Sequence, residues 1–446
     1  MKVLHVVYGW RPDAMGGTEV YVAGLAAALA RLDVASVIAA PGDDSEVESD
    51  QGPLQVYRYR APPPRLQDLY GHVNTTADEH FAAIVRTEAP DVVHFHAFSP
   101  AVTPVMAAGA AERGAVVLTY HTPTVTCQRG SLRRWGRIPC DGELRPRRCA
   151  ACALQGGGAP LPLALLAASA PAVLSRAVDA VGRSGGGWTA LRMPALLEAR
   201  RRALRAFLAA ADAVVAPVPW AVDVLVRNGV PAARISVISQ GVRDHALAVA
   251  DDRAAAGPAR APDHAAELRM AFLGRLDPLK GAHVLVEALA RVPRAGVTLD
   301  VFGLPTGATD YVERLNAAAA ADPRVRMAPP VGADGVLSLL GDYDLIVVPS
   351  QGAETGPLVV LEAQAAGVPV LGSAVGGIAD RVEDGRDGRL VADFQTPAAW
   401  ARAIAHLAAD PARLAQLRAG QRPPPTMTDA AARMAELYRT VLARRN

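Results

Sequence analysis

Short runs of β-branched and other apolar residues alternate with longer amphipathic segments along the whole chain. In the first half, these runs are apolar at consecutive positions, a pattern typical of buried parallel strands. Between the first two runs, apolar residues recur at helical spacing from Val22 to Leu32, which predicts a helix capped at its start by Thr18. The predicted strands of this half are residues 3–8, 34–40, 92–95, 116–120, 214–216 and 235–238.

The alternation resumes after residues 243–267, a charged stretch rich in Ala and Pro that has no apolar periodicity and is typical of a linker. Two successive series of strands and helices predict two doubly wound α/β domains. Ligands of such sheets bind beyond the carboxyl ends of the strands, so we expect the main site in a cleft between the domains. The second half is predicted to contain strands at 270–273, 297–302, 345–348 and 368–371 and helices at 281–292 and 358–366.

The composition favours two globular cores and excludes several classes of protein. The 446 residues are 51% hydrophobic and 20% charged, which argues against a disordered or fibrous chain. A net charge of +2 and only 5% aromatic residues argue against nucleic-acid binding. The N-terminal apolar run is too short for a secretory signal, and the uncharged stretch 153–175 contains prolines that argue against a membrane span. We therefore expect a cytoplasmic protein.

The segment PSQGAETGPLVVLEAQAAGVPVLGS, residues 349–373, places Glu354 in a loop and Glu362 in the helix that follows. At 1.5 Å per helical residue, the two carboxylates are roughly 12 Å apart. That distance is too long for one metal ion, but it suits an extended ligand with hydroxyl groups at both ends. The backbone amides expected at the helix start, near Thr355 and Gly356, would face an anion between those ends. A sugar, a phosphate and a ribose in a row have this chemistry.

Two further segments suggest phosphate contacts. FLGRLDPLKG, residues 272–281, places Arg275 and Lys280 at the exit of a strand, where two cations suit a diphosphate. MGGTEV, residues 15–20, brings Gly16 and Gly17 into the first helix as a phosphate-binding turn would, although it is neither a Walker loop nor a GxGxxG fingerprint.

The chain resembles the retaining glycosyltransferases of family four, which have the GT-B fold. The resemblance rests on the order of three motifs: the glycine pair, then Arg275 and Lys280 (R-x4-K), then Glu354 and Glu362 (E-x7-E). The resemblance covers nearly the whole chain, including DVVHFH, LDVFG and GVPVLGSAVGGIADRVEDGRDGRLV. It implies an α/β protein with two doubly wound Rossmann-like domains facing each other across a cleft. The expected parts are an N-terminal acceptor-side domain at 1–242, a linker at 243–267, a nucleotide-sugar-binding domain at 268–425, and a C-terminal helix at 426–446 that packs back on the N-terminal domain.

The resemblance also implies roles for single residues. Glu362 resembles the glutamate that holds the ribose hydroxyls, and Glu354 the one beside the donor sugar. Arg275 and Lys280 resemble the pair that neutralises the leaving diphosphate. His121, in LTYHTPT, resembles the histidine that contacts the donor sugar.

The remaining donor-binding residues implied by the resemblance are Gly16, Gly17, Thr355 and Gly356. Two positions depart from the family pattern. Pro357 stands in a stretch that is often glycine-rich, which we interpret as a marker of substrate type. Gln240 stands where an asparagine is usual before Gly-Val.

The activity implied is transfer from a UDP- or GDP-sugar to a glycan, lipid-linked or small-molecule acceptor, in cell-envelope, polysaccharide or glycoconjugate biosynthesis. The acceptor attacks the face from which the diphosphate leaves, and a leaving phosphate oxygen takes its proton, so no cofactor is expected for catalysis. Two alternatives stay open. One is a nucleotide-sugar epimerase with the same fold, and the other is a non-catalytic interaction protein on a transferase scaffold.

All four cysteines lie in an Arg-rich insertion at about residues 127–155, where we expect neither helix nor strand. Loops of this length are usually functional or held by a crosslink. Four thiols suffice for a structural zinc, which we predict, and some family members carry a similar insertion. Reduced structural thiols and redox disulfides remain alternatives. The four proposed ligands are Cys127, Cys140, Cys149 and Cys152.

The arginines of the insertion follow directly on the strand that ends near His121. Such a cluster suits an anionic acceptor or an anionic lipid surface. We therefore expect peripheral contact with the inner face of a membrane. The residues concerned are Arg129, Arg133, Arg134, Arg137, Arg145, Arg147 and Arg148.

Overall fold

The computed structural model describes residues 1–10, 16–43, 46–49, 54–181, 185–244, 268–293, 296–305 and 309–445. The chain divides into two compact units. The first comprises Met1–Ser239 and Ala430–Asn446, and the second comprises Gln240–Asp429. Most of the predicted linker, residues 245–267, lies outside the described residues.

A mainly parallel sheet of eight strands forms the centre of the first unit. Its order is β10-β9-β6-β5-β1-β2-β4-β3, and every neighbouring pair is parallel except β3 with β4. Strands β5, β6 and β9 bury every side chain, which explains their unbroken apolar runs. The strands of this unit, including a separate β7–β8 ladder, are β1 Lys2–Val6, β2 Ala35–Gly42, β3 Glu46–Ser49, β4 Gln55–Arg60, β5 Val92–Phe95, β6 Ala115–Thr119, β7 Arg133–Arg134, β8 Ile138–Pro139, β9 Ala213–Ala216 and β10 Ile235–Val237.

The helices of the first unit cover this sheet, and four of them lie between β6 and β9. Helix α1 begins one residue before Thr18, and its N-terminal cap is Gly16, so the predicted cap at Thr18 is wrong. The carboxylate of Glu19 accepts the Gly16 N–H at 2.9 Å and takes over that capping role. The helices are α1 Gly17–Ala30, α2 Leu66–Gly71, α3 Thr75–Glu88, α4 Pro104–Ala111, α5 Pro146–Gly156, α6 Leu161–Ala168, α7 Ala172–Val181, α8 Gly186–Ala210 and α9 Trp220–Arg227.

The insertion after β6 is structured, so the expectation that it has neither helix nor strand is wrong. It contains the β7–β8 hairpin and helix α5, which carries the Cys-x-x-Cys pair. The 25-residue helix α8 follows and contains Pro194. Proline disrupts helical hydrogen bonding, and here the Ser175 hydroxyl of α7 accepts the N–H of Ala195 at 3.0 Å. The polar residue of α7 therefore faces inward, against α8.

The second unit is a six-stranded parallel sheet of order β13-β12-β11-β14-β15-β16 with helices on both faces. One face is buried under Leu285 and Trp400, and the other under Leu340 and Val360. Its strands are β11 Leu268–Leu276, β12 Val297–Pro305, β13 Val325–Ala328, β14 Leu345–Val348, β15 Val370–Ser373 and β16 Gly388–Val391. Its helices are α10 Ala282–Leu289, α11 Thr309–Ala320, α12 Val336–Leu340, α13 Leu358–Ala365, α14 Gly376–Arg381, α15 Pro397–Ala409 and α16 Pro411–Ala419.

The last helix, α17 at Met427–Arg445, begins in the second unit, and its residues from Ala430 onward belong to the first. Within the first unit, the Tyr438 hydroxyl lies 2.6 Å from Nδ1 of His94, and Arg445 pairs with Asp212 at 2.8 Å. These contacts hold the helix to the strands β5 and β9. Across the described residues, no helix combines the length and the apolar character needed to cross a membrane.

Candidate functional site

A partly buried ion pair lies in the loop between β14 and α13 of the second unit. The Lys280 ammonium donates to Oε2 of Glu354 at 2.7 Å, and the Ser350 hydroxyl donates to Oε1. Burial raises the pKa of the Glu354 carboxyl, but Lys280 and Ser350 outweigh burial and hold that pKa below its usual range. Glu354 is therefore a carboxylate at neutral pH.

Two glycines allow the chain to close around this pair. Gly281 has φ +77°, and a Cβ there would lie 2.0 Å from the carbonyl oxygen of Pro349. Gly376 has φ +56°, and a Cβ there would lie 2.8 Å from the backbone nitrogen of Glu354. The Gly377 N–H donates to the Glu354 carbonyl at 2.7 Å. Only glycine fits both the left-handed backbone and the close approach, so these turns fix the position of Glu354.

Arg275 lies at the end of β11, and Asp277 links it to the turn that carries Lys280. Its guanidinium is 3.3 Å from Asp277 and remains about half exposed, with 54% of the side chain accessible. It also contributes to lowering the pKa of Glu354. The same Asp277 carboxylate accepts the backbone N–H of Lys280 at 3.2 Å. The structure thus brings Arg275, Lys280 and Glu354 together, and adds Ser350 and Asp277 to these three predicted residues.

The helix that carries Glu362 begins at the predicted residue, Leu358, and its N-cap is Pro357. Thr355 and Gly356, where free amides of the helix start were expected, lie before this cap and outside the helix. Proline has no N–H and defines the start of the helix. Burial raises the pKa of Glu362 to about 7, against an opposing effect of Arg243. This carboxyl is therefore poised between its two protonation states near neutral pH.

Gln240, the departure from the family pattern, lies directly against Gly356. A Cβ at Gly356 would be 2.1 Å from Oε1 of Gln240. The longer side chain thus occupies the space beside Gly356, and glycine at 356 is a packing requirement of Gln240. Sequence reasoning singled out both positions but gave no reason to connect them.

Four buried histidines meet on the central strands of the first unit. His5 on β1 lies opposite His94 on β5, while His96 follows β5 and His121 follows β6. His5 Nδ1 lies 3.0 Å from His96 Nε2, and His96 Nδ1 lies 2.9 Å from His121 Nε2. The Ser36 hydroxyl ends the row, 3.3 Å from His5 Nε2. We call Ser36, His5, His96 and His121 the histidine chain.

The histidine chain consists of neutral rings. Burial lowers the pKa of His5 and of His121 to about 3, and it holds the pKa of His96 well below its usual range. Each imidazole therefore carries one N–H. A nitrogen that donates must face one that accepts, so all N–H groups of the row point in one direction. The tautomer of His121 is thus tied to that of His96, a link the sequence did not reveal.

Ligand atoms of His5, His94 and His96 lie within 4.8 Å of one another, close enough to share a metal ion. However, each ring nitrogen of these residues already has a hydrogen-bond partner. His94 contacts the Tyr438 hydroxyl at 2.6 Å and the Thr119 hydroxyl at 2.7 Å. The arrangement is therefore that of a hydrogen-bond network rather than of a metal centre, since the lone pairs are used within it.

The glycine pair of the first unit lies at the start of α1, as expected. The Gly16 N–H is directed to the buried carboxylate of Glu19. A phosphate that approached this amide would have to replace that carboxylate. Tyr21, on the same helix, lies over His121, with ring centroids 5.2 Å apart.

The four cysteines are free thiols, each of intermediate burial. Burial raises the pKa of Cys149 to about 11 and raises that of Cys140, and Cys127 is close enough to act on both. Cys152 instead accepts the backbone N–H of Trp135 at 3.4 Å. In the described part of the chain, the histidine trio is the one set of three ligands within 4.8 Å. The cysteine zinc site stays a prediction, for which the thiols would have to move closer together.

Most arginines of the insertion are engaged inside it. Arg148 forms two hydrogen bonds with Asp141, Arg145 pairs with Glu143, and Arg129 donates to Gln155. These contacts stabilise the hairpin and α5, where carboxylates, amides and carbonyls are the partners. The cluster is therefore not a uniformly basic surface. Arg137 and Arg147 are exposed.

Arg200, on α8, is a functional candidate that sequence reasoning missed. Its buried guanidinium contacts Nε2 of His72 at 2.6 Å, donates to the Thr124 carbonyl, and lies over the Phe98 ring. Within the described residues, none of these partners is a carboxylate. Burial lowers the pKa of His72 to about 3, so that ring brings no negative charge. A buried cation without a counter-charge is suited to binding an anion.

Comparisons with known proteins match both halves of the chain. The family Glycosyl transferases group 1 matches residues 267–410, and Glycosyltransferase Family 4 matches residues 15–145. The D-inositol 3-phosphate glycosyltransferase of Streptomyces avermitilis is 36% identical over 221 residues, which is 47% of this chain and 47% of that protein. The chain thus spans about half the length of the curated relatives it matches.

Solved structures match over nearly the full length. Sucrose-phosphate synthase from Thermosynechococcus elongatus has a TM-score of 0.68 and 22% identity, covering 99% of both chains. HepE of Anabaena in complex with UDP-glucose has a TM-score of 0.63 and 18% identity, covering 99% of this chain and 100% of that one. At these identities the likeness shows the fold, and the predicted fold class is confirmed. Both halves of the chain are similar to group 1 and family 4 glycosyltransferases, and its two parallel-sheet, Rossmann-like α/β domains have the GT-B fold.

Proposed function

We propose that this chain is a retaining glycosyltransferase that moves a sugar from a UDP- or GDP-sugar to a glycan, lipid-linked or small-molecule acceptor. The observation that carries the proposal is the contact between Lys280 and Glu354, held in a glycine-clamped loop. A cation and a carboxylate fixed together suit a ligand that is anionic at its diphosphate and hydroxylated at its sugar. The relatives named above and the UDP-glucose bound by a protein of the same fold support this donor class.

Lys280 is one of only two lysines in a chain with 46 basic residues. Almost all basic residues of the chain are arginines, so a lysine at this position suits a task that needs a compact, rotatable charge. Its ammonium can bridge Glu354 and a phosphate oxygen, while the half-exposed Arg275 offers a fork for two phosphate oxygens. Both cations would stabilise the charge that develops on the leaving diphosphate.

The carboxylates have separate tasks in this proposal. Glu354, ionised at neutral pH, accepts hydrogen bonds from sugar hydroxyls and stabilises positive charge at the anomeric carbon. Glu362 binds the ribose hydroxyls, and His121 keeps the contact with the donor sugar that the family resemblance implies. Retention follows if the leaving phosphate oxygen takes the acceptor proton on the same face. No general base and no catalytic cofactor is then required from the chain.

The acceptor is proposed to carry an anionic group, and the observation favouring this is the buried Arg200, whose hydrogen-bond partners among the described residues are an imidazole and a carbonyl. The relatives named for D-inositol 3-phosphate act on a phosphorylated acceptor, which agrees with that chemistry. Arg200→Gln should raise the KM for a phosphorylated acceptor while slow donor hydrolysis is unchanged. An unchanged KM would contradict this part of the proposal.

We place the protein in the cytoplasm, in peripheral contact with the inner face of a membrane, in cell-envelope or polysaccharide biosynthesis. The activity is tested by a thermal-shift screen with UDP-, GDP- and ADP-sugars, since a ligand that binds the folded state raises its melting temperature. Each stabilising donor is then incubated alone. Slow release of nucleotide diphosphate supports a transferase, an isomerised nucleotide sugar indicates an epimerase, and no stabilisation by any donor would contradict both.

A further inference from the structure

Helices α6 and α7 and the start of α8 expose an unusual amount of apolar surface. Among the described residues, fifteen large hydrophobic side chains are exposed, and eight of them lie in residues 161–188. Leu166 is 72% exposed and Val173 is 78% exposed. We call this surface the α6–α7 face. Its members are Leu161, Leu163, Leu165, Leu166, Val173, Leu174, Val181 and Trp188.

Both helices differ from an ordinary surface helix in what they bury. Helix α6 buries the small residues Ala164 and Ala168 while its leucines point outward. Helix α7 buries Ser175 and Val178 and leaves its other large apolar residues exposed, and the Ser175 hydroxyl accepts the Ala195 N–H of α8. An ordinary surface helix buries its large apolar residues and exposes its polar ones. Because Ser175 is hydrogen-bonded in its inward position, α7 cannot rotate to bury its apolar side without losing that bond.

The charged residues around the face are mainly basic. Between residues 157 and 181 the sequence has two charged residues, Arg176, which is exposed, and Asp179. Arg147, on the preceding helix α5, is exposed as well. The nearby carboxylates Asp141 and Glu143 are already paired with arginines of the insertion. Residues 127–188 contain nine arginines and three acidic residues, so the sequence around the face is net basic.

We propose that the α6–α7 face docks on the surface of an anionic lipid bilayer. The helices span eight and ten residues, roughly 12 and 15 Å, too short to cross a hydrocarbon core of about 30 Å. They would lie in the plane of the interface, with leucines in the acyl region, Trp188 at the boundary and Arg176 among the headgroups. This deepens the proposed membrane contact and rests on it, and it moves that contact from the Arg-rich insertion to the helices that follow.

A second copy of the chain fits the same face less well. In a twofold dimer the same patch meets itself, so Arg176 of both copies would enter one interface. The basic excess of residues 127–188 would then meet the same excess of the second copy. A bilayer containing acidic lipids supplies both the apolar depth and the negative charge.

The test is flotation of the full chain with vesicles of phosphatidylcholine, either alone or with about one third phosphatidylglycerol. The wild type should float with the acidic vesicles. Leu166→Glu/Val173→Glu should lower the partition coefficient at least about tenfold, and Arg176→Glu should lower it on acidic vesicles. Both apolar positions are highly exposed, so the folded state should tolerate the substitutions. Val105→Glu is the matched control, because Val105 is 60% exposed on α4, away from the face.

Two outcomes would overturn the proposal. One is a wild type that does not float, or a double variant that floats like the wild type. The other is a lipid-independent dimer that the double variant dissociates, which would assign the face to a second copy. Stabilisation by a nucleotide sugar is measured on every variant. A chain that binds vesicles but is not stabilised by any nucleotide sugar would contradict the transferase proposal alone. A chain that is stabilised by a nucleotide sugar but does not bind vesicles would contradict the docking proposal alone.

Discussion

Replacing Lys280 by alanine removes one partner of the ion pair at the centre of the proposed donor site. The ammonium lies 2.7 Å from Glu354, and the two side chains are 28% and 17% exposed. Breaking a fully buried pair costs about 3–5 kcal/mol, and an exposed pair contributes about 0–1 kcal/mol. Since this pair is intermediate and Ser350 still donates to Glu354, we expect a loss of about 2 kcal/mol in the free energy of unfolding.

The loss of activity should be larger than the loss of stability. Removing one fixed charge that acts on a leaving group typically lowers kcat by about 10²–10³, which is about 3–4 kcal/mol of transition-state stabilisation. Lys280→Ala should thus be folded and poorly active. Lys280→Arg should recover much of the stability because it keeps the charge, but not the turnover, because a guanidinium does not reproduce the position of an ammonium.

The stability loss should depend on pH. In the wild type the pKa of Glu354 is depressed, so its carboxylate stabilises the fold above the pKa of the unfolded chain, and this contribution is lost as the pH falls through the folded-state pKa. In Lys280→Ala, burial raises the pKa without the opposing ammonium. The ionised carboxylate then destabilises the fold as the pH rises. The stability gap should therefore be widest near pH 7 and should narrow towards about pH 4–5.

The measurements are urea unfolding across this pH range and kcat/KM for release of nucleotide diphosphate at pH 7. Lys2→Ala is the matched control, because the other lysine of the chain pairs with Glu88 at 3.2 Å in the first unit. It should lose stability without losing turnover. Lys280→Ala with wild-type turnover, or with a stability gap that does not change with pH, would refute the reasoning.

Three further predictions address other parts of the structure. Gly281→Ala should destabilise the chain by at least about 1 kcal/mol more than Gly367→Ala, measured by urea unfolding, because both sites have positive φ but only Gly281 faces a carbonyl. Equal losses would contradict the clamp. His96→Asn should shift the ring-nitrogen NMR signals of His121 and should lower kcat/KM by roughly tenfold, a loss equivalent to about one hydrogen bond. Unchanged His121 signals in this variant would disprove the linked tautomers. Protein purified without chelator should contain about one zinc ion per chain by elemental analysis. A zinc content far below one per chain would exclude the cysteine site.

The apolar runs were sufficient to predict the two sheets. The strands at residues 92–95 and 345–348 have the predicted bounds, because short runs between clear breaks leave little choice of register. Strands β3 and β4 at one side of the first sheet, and the edge strands β13 and β16 of the second, were missed, since they carry charged or polar residues and lack an unbroken apolar run. Helix α6 was missed because leucine and alanine surround it and leave no apolar periodicity, whereas α5 and α7 were missed although their apolar residues do recur at helical spacing.

The residues of the candidate site were predicted from motifs, but their connections were not. Lys280 and Glu354 are 74 residues apart and meet only because β11 and β14 are neighbours in the sheet. The histidine chain draws on four neighbouring strands, β6, β5, β1 and β2, for the same reason. Arg200 gave no signal, since it lies in a run of arginines and only the fold decides which of them is buried.

The central claim is most directly tested by the stereochemistry of slow donor hydrolysis. The wild type is incubated with an α-linked UDP- or GDP-sugar in the absence of acceptor, and the first sugar released is followed by proton NMR before its anomers equilibrate. A retaining transferase releases the α-anomer together with the nucleotide diphosphate. Initial release of the β-anomer, or conversion of the intact donor to an epimer, would contradict the account.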